Sequence, residues 1–224
     1  MTLPRPVKAV VFDMDGLLVD TESVARDAMM AAAHDLGREL PMPVFLSMVG
    51  TNHARSAQIL KAHFGDEGVV AQFQQGWLER FHAMDAAEIQ LKAGVIELLD
   101  HLDMTPTPRA VCTSSTHASV QRQLGPSGMI SRFHAIVAHG DYAQGKPHPE
   151  PYLKAAEALG VAPELCLALE DSHNGVRAAH GAGMMTIMVP DLLDPTEEMH
   201  GLCVRIADSL HDVRDLLAGP RAAP

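Results

Sequence analysis

The sequence predicts an α/β protein, a doubly wound parallel sheet with a block of helices inserted after its first strand. Three observations lead there. Short apolar runs alternate with helical patterns over most of the 224 residues. One stretch, from about residue 20 to about residue 90, is helical in pattern throughout and carries no strand signal. Small, acidic and hydroxyl residues collect just after the apolar runs, where open parallel sheets place their ligands.

The elements follow in order. Val7 to Phe12 is a β-branched and aromatic run bounded by Pro6 and Asp13, and reads as a buried strand. Ala25 to Leu36, Ala54 to Phe64 and Val69 to Met84 are helix-like, with Gly65 and Gly68 between the last two. This block is too long for a crossover and reads as an inserted subdomain. A helix over Gly94 to Leu102 and the turn Thr105-Pro106-Thr107-Pro108 bring the chain to a second strand, Arg109 to Cys112. Further strands are predicted at Ala135 to Ala138, Leu165 to Leu169 and Thr186 to Val189. Helices over His117 to Leu124, Glu150 to Leu159, Asn174 to Gly181 and Ser209 to Leu217 separate or follow them. Such alternation implies parallel crossovers and a sheet covered on both faces.

Composition narrows the function. Apolar residues make up 47% and charged residues 20%, which is ordinary for a globular chain. The net charge of −11 provides no general field for nucleic acid or an anionic membrane. An anionic ligand must therefore be held by local groups, and a bound divalent cation suits that task. Cys112, Cys166 and Cys203 are scattered without a CxxC pair, which argues against a disulfide framework or a zinc site and for a reducing cytoplasm. The 13 histidines show no HExxH spacing. No apolar run approaches the roughly 20 residues that span a bilayer, and the N-terminus reads without a secretory signal.

Four clusters carry chemistry. Asp13-Met14-Asp15-Gly16 follows the first strand: one carboxylate can attack phosphorus, and a second can protonate a leaving oxygen. Gly16 lets the backbone approach a ligand closely. Thr113-Ser114-Ser115 follows the second strand, where hydroxyls and free N–H groups at a strand-to-helix turn suit a phosphate. After the third strand, Gly145-Lys146-Pro147-His148-Pro149 holds a lysine in a restricted backbone, able to face both a phosphate and an aspartate. Glu170-Asp171-Ser172 after the fourth strand offers hard oxygen ligands of the kind magnesium takes. Together they supply a nucleophile, an acid/base, anion donors, a cation and a metal site.

Val10 to Glu22, with its Asp13-Met14-Asp15-Gly16 core, resembles the first motif of the haloacid dehalogenase superfamily. The other three clusters resemble its second, third and fourth motifs, in the right order, and Asn174 to Met184 extends the likeness. Within the superfamily the chain looks nearest to the β-phosphoglucomutase-like phosphatases, whose helical cap follows the first motif. The resemblance implies a Rossmann-like core over 1–18 and 92–224 and a cap over 19–91. It implies Asp13 as nucleophile and magnesium ligand, and Asp15 as acid/base that also gives the metal its backbone carbonyl. It implies Thr113 and the Ser114 N–H as phosphoryl-binding groups and Lys146 as the cation that holds the phosphate. Asp171 would bind Mg2+, with Glu170 beside it as a further candidate ligand. Gly16, Ser114, Ser115, Glu22, Asn52, His53 and His117 are the candidate substrate contacts.

Ungapped counting puts Ala25 where the mutases keep a histidine that controls the acid/base aspartate. His53 falls at the usual position of an arginine for a second phosphate, and Val49 at that of a lysine. A histidine grips a second phosphate less firmly than a bidentate guanidinium. The expectation is therefore a magnesium-dependent phosphatase acting on a small phosphomonoester, such as a sugar or polyol phosphate, through phospho-Asp13. A phosphomutase and a non-catalytic binding protein on the same fold are the alternatives. The metal-free dehalogenase branch fits poorly, because Asp15 and the Glu170-Asp171 pair belong to metal-dependent chemistry. The expected partner is the small phosphate ester alone, with no nucleic acid and no membrane, in a cytoplasmic monomer or weak homo-oligomer.

Overall fold

The computed structural model describes residues 3–49, 51, 53–83 and 90–219, together with the backbone but not the side chains of His53, Ala54 and His82. Among the described residues the chain forms two compact units. One takes in the residues up to Val19 and those from Leu91 onward; the other is Asp20–Gln90.

The first unit is built on a six-stranded sheet. Its strands are β1 (Ala9–Phe12), β2 (Arg109–Thr116), β3 (Ala135–His139), β4 (Cys166–Glu170), β5 (Met185–Met188) and β6 (Arg205–Ile206). They lie in the order β3-β2-β1-β4-β5-β6, and every pairing is parallel. The chain moves outward from β1 to β3, then returns to the other side of β1 with β4. The reversal leaves a crevice at the carboxyl ends of β1 and β4, the place where such sheets bind ligands. In register, Phe12 lies beside Leu169, so Asp13 and Glu170 emerge together at that crevice.

Both faces of the sheet are covered, and β1 is buried along its whole length. On one face Ala9, Val11, Ala110, Cys112 and Ala168 meet Tyr152, Ala155 and Ala156 of α7 (Glu150–Leu159) and Ala178 and Ala179 of α8 (His173–Gly181). The many alanines let these helices lie close to the strands. The α5 helix (Val95–Met104) buries Val95, Leu98, Leu99 and Leu102, one stripe at helical spacing. It packs beside α10 (Leu210–Ala218), which buries Leu210 and Val213. The α6 helix (His117–Leu124) and the short α9 (Glu197–Leu202) complete the unit.

The second unit holds α1 (Thr21–Asp35), α2 (Met42–Leu46), α3 (His53–Phe64) and α4 (Glu67–Ala83). Its α1 packs on α4 through small residues: a Cβ at Gly76 would sit 3.7 Å from the Ala32 methyl. Phe64 and Phe73 pack in its centre with ring centroids 5.2 Å apart and planes tilted by 52°. No described helix is long and apolar enough to cross a membrane.

Several elements differ from those the sequence predicts. The α1 helix starts at Thr21 rather than Ala25, because the β-branched Thr21 and Val24 hide the helical period. Strand β5 is shifted one residue toward the N-terminus, to Met185–Met188. Strand β2 runs on to Thr116, and its register against β3 breaks between Cys112 and Thr116. The short α2, α9 and β6 carry too few residues for a periodic signal.

Candidate active site

Each chemical cluster comes from the carboxyl end of a strand in the sheet unit. Asp13 follows β1, and its backbone N–H donates to Leu169 O at 3.0 Å, which ties it to β4. The chain then turns tightly: Gly16 N–H donates to Val19 O at 2.9 Å, and Leu18 N–H donates to Met14 O. Gly16 has φ +81°, a left-handed conformation that a side chain would strain. A Cβ there would also lie 2.4 Å from Asp171 Oδ2. The glycine is needed on both counts.

Lys146 is the hub. Its ammonium, almost wholly buried, donates to Asp13 Oδ1, to Glu170 Oε1 at 2.6 Å and to the Cys112 carbonyl at 3.0 Å. Its loop is fixed by Glu150 in the first turn of α7, whose carboxylate accepts from the Ala143 and Gln144 N–H groups, each at 2.9 Å. Burial alone would lower the Lys146 ammonium, but the carboxylates of Asp13 and Glu170 outweigh it and hold the pKa well above the ordinary value. Burial pushes the Asp13 carboxyl up. Lys146 pulls it down, while Glu170 and Asp15 add to the rise. Cys112 beneath them is pushed up to about 12 by burial, so it remains a thiol.

Glu170 is fully buried and its carboxylate accepts four hydrogen bonds. Its Oε1 accepts from Lys146 and from the Tyr152 hydroxyl, both at 2.6 Å. Its Oε2 accepts from the Ser172 hydroxyl at 3.0 Å and the Ser172 N–H at 3.3 Å. The same Ser172 hydroxyl caps α8 by accepting from Gly175 N–H at 3.1 Å. A Cβ on Gly175 would overlap the Glu170 carboxyl, at 1.9 Å.

Asp15 faces β2. Its Oδ2 accepts from the Ser115 hydroxyl at 2.8 Å and from Thr113 Oγ1 at 3.3 Å. Thr113 Oγ1 in turn accepts from Ser115 N–H at 3.0 Å, and the Thr113 carbonyl accepts from the Tyr142 hydroxyl at 3.1 Å.

The sequence places Thr113-Ser114-Ser115 at a strand-to-helix turn, but these residues are still strand. The helix cap is Thr116, which accepts from Ser119 N–H. Glu170, expected just past β4, is its last residue. Ser114 is exposed and interacts with Tyr142. His117 stands outside the network, paired with Asp141 Oδ2 at 2.9 Å on an exposed rim. Glu22 lies in the first turn of α1, in the other unit. Asn52 and the His53 side chain are outside the described residues.

Tyr152, Lys92 and Asp191 join the site from outside the four clusters, and Ser172, within the fourth, joins through its hydroxyl. Ser172 is legible as a helix cap after the acid pair. Tyr152 looks like any apolar position of an amphipathic helix, and the Lys92–Asp191 pair, 2.6 Å apart, has no local signal.

Asp13, Glu170 and Asp171 each offer a buried carboxylate oxygen, and the three oxygens lie within 4.8 Å of one another. Carboxylates outnumber the single buried ammonium, and hard oxygens at this spacing suit a hard divalent cation. The donor set therefore fits magnesium.

The haloacid dehalogenase-like hydrolase family model matches residues 10–189, which span all four clusters and both units. The chain belongs to this family. A Drosophila melanogaster relative named "Probable pseudouridine-5'-phosphatase" is 34% identical over 84% of this chain and 83% of its own length. The solved structure of CbbY from Rhodobacter sphaeroides in complex with phosphate matches with a TM-score of 0.75 at 29% identity, over 92% of this chain and 96% of that one. A β-phosphoglucomutase structure from Clostridium difficile matches with a TM-score of 0.72 over 92% and 93% of the two chains. Its 22% identity speaks for the family fold alone.

Proposed function

We propose that this family member is a magnesium-dependent phosphatase for a small phosphomonoester, working through phospho-Asp13. The observation that carries the reading is the buried Asp13–Lys146–Glu170 arrangement beside Asp171, with Asp15 held by Ser115 on the next strand. The phosphatase name of the Drosophila relative and the phosphate in the CbbY structure point the same way.

In this reading an Asp13 oxygen attacks phosphorus and the ester P–O bond breaks. Asp15, as the acid, gives its proton to the leaving oxygen. Asp15 then takes a proton from water, the water oxygen attacks phosphorus, and the acyl-phosphate P–O bond breaks to return Asp13 and release inorganic phosphate. Thr113 and the Ser114 N–H hold the phosphoryl oxygens. Lys146 offsets the charge of Asp13 and the incoming phosphate, and Glu170 with Tyr152 fixes Lys146. Because its carboxylate already accepts from Lys146, Tyr152 and Ser172, Glu170 serves mainly as a positioning group, leaving Asp13, the Asp15 carbonyl and Asp171 to hold the metal. Bound magnesium supplies positive charge that lets an anionic nucleophile meet an anionic ester.

The unit Asp20–Gln90 is read as the cap that selects the leaving group, with Glu22, Asn52 and His53 as its candidate contacts. Ala25 has no imidazole to restrain Asp15, which supports hydrolysis over return of the phosphate to a sugar. The three free cysteines suit a cytoplasmic enzyme.

The test is phosphate release over a panel of sugar, polyol and nucleoside monophosphates, with magnesium or with chelator, for the wild type and Asp13→Asn. Release that needs both magnesium and Asp13 is expected. Wild-type turnover in Asp13→Asn, or full release in chelator, would overturn the reading. An isomeric sugar phosphate formed faster than free phosphate would favour the mutase instead.

A further inference from the structure

We infer that Asp191 is an outer ligand of the divalent cation, accepting a hydrogen bond from a cation-bound water, and that Lys92 holds it in place. The inference rests on the metal-dependent reading above.

Asp191 lies in the loop after β5, one strand beyond β4. Its Oδ1 accepts from Lys92 Nζ at 2.6 Å. Its Oδ2 is buried and, among the described residues, has no hydrogen-bond partner. Buried carboxylate oxygens are rarely left so, because desolvation of an anion must be offset by a donor or a cation.

The surroundings of Oδ2 indicate what is missing. The position a Gly16 Cβ would take lies 3.3 Å from Asp191 Oδ2 and 2.4 Å from Asp171 Oδ2. Both oxygens therefore press on the same side of Gly16, near enough to each other for one bridging group to reach both. One of the two, Asp171, belongs to the acidic trio with Asp13 and Glu170. Two carboxylate oxygens this near repel unless a positive or strongly donating group joins them. Lys92 is already directed at the other oxygen of Asp191. A water polarised by a cation on Asp171 meets the requirement, since magnesium keeps several of its waters and such waters donate strongly.

Lys92 is placed for this by the backbone. Its N–H donates to Leu18 O at 3.0 Å, next to the antiparallel bridge between Val19 and Leu91. The lysine therefore stands at the end of the Gly16 turn and reaches across to Asp191. Lys92 and Asp191 are positioning residues; neither is assigned contact with the reacting atoms.

The experiment is Mn2+ binding to the full-length protein without substrate, read from the electron paramagnetic resonance of free Mn2+. One tight Mn2+ is expected for the wild type, and a Kd about 10-fold or more weaker for Asp191→Asn. Loss of the Lys92 pair alone would lower the melting temperature and leave Kd unmoved, so equal Kd values within twofold would overturn the inference. A wild type that binds no Mn2+ would instead overturn the metal-dependent reading on which it rests. A crystal of the wild type grown with Mn2+ gives a check that needs no variant. A water bridging Mn2+ and Asp191 Oδ2 is expected there; a direct Mn2+–Asp191 bond, or no water between them, would overturn the outer-ligand role.

Discussion

Asp13 and Lys146 depend on each other more than on the solvent. Both are buried, and removing the ammonium leaves two buried carboxylates, Asp13 and Glu170, without the cation they share. Lys146→Met sets Asp13 against Glu170 without a cation between them. The expected result is phosphate release at least about 100-fold slower and about 3–5 kcal/mol less stability, measured by turnover and by urea unfolding. Asp13→Asn has the opposite effect on stability. The Asp13 carboxyl is raised in the folded protein by burial, so its contribution is fully present below the unfolded-state pKa of 3.8 and is lost as pH rises through the higher folded value. In chelator, the Asp13 contribution to stability should therefore fall as pH rises from about 4 toward neutrality, so the stability of Asp13→Asn relative to the wild type should rise over that range. At neutral pH without metal, the variant should melt about 2–4 °C above the wild type for each kcal/mol relieved. A lower melting temperature for Asp13→Asn in chelator would show that Lys146 outweighs burial. Lys146 is raised as well, so its own contribution persists through neutral pH and is lost only above its ordinary 10.5.

The site is set by element ends, and the tightest constraint is the start of α8. Ser172 caps the helix and binds Glu170 with one hydroxyl, while Gly175 leaves no room for a side chain against the same carboxylate. Gly175→Ala favours the helix by about 1 kcal/mol in isolation, but its methyl must displace Glu170 or the helix. Overpacking of this kind costs about 1–3 kcal/mol. A net loss of stability is expected, with a fall in turnover larger than stability alone explains, because Lys146 follows Glu170. Thermal unfolding and phosphate release on the same preparation test this; unchanged turnover would mean that Glu170 does not steer Lys146. The end of β1 was legible, since its apolar run stops at Phe12 where the acids begin, whereas β3 and β4 each run one residue further than predicted and β5 stops one residue sooner. The continuation of β2 to Thr116 was not, because Thr and Ser suit a strand edge and a helix cap equally.

The two compact units share few covalent constraints. The unit Asp20–Gln90 begins and ends at adjacent points, Asp20 N–H donating to Gln90 O at 2.9 Å, while Val19 and Leu91 bridge each other in the sheet unit. A chain with residues 20–90 replaced by a short Gly-rich linker should therefore keep a folded sheet unit, which has its own core on both faces. Cooperative melting is the expected outcome, together with slow magnesium-dependent hydrolysis of an activated aryl phosphate and loss of discrimination among sugar phosphates. Failure to fold would show that the helical unit supplies stability as well as selection.

By itself the sequence determined the alternation of strands and helices, the insertion after the first strand, and the four clusters that contain Asp13, Thr113, Lys146 and Asp171. Those features are local: a strand is a short run, a cap or turn is a few residues, and a motif is contiguous. The partners of those residues were decided only by tertiary structure. Tyr152 reads as one more apolar helix position until α7 is laid on the sheet and its hydroxyl meets Glu170. Lys92 and Asp191 are separated by 99 positions and carry no shared pattern, yet the return of the chain past Leu18 and the loop after β5 bring them to 2.6 Å. The reason is physical. The sequence records which groups each segment offers, but a buried charge is satisfied through space, and only the packed sheet sets which offers coincide.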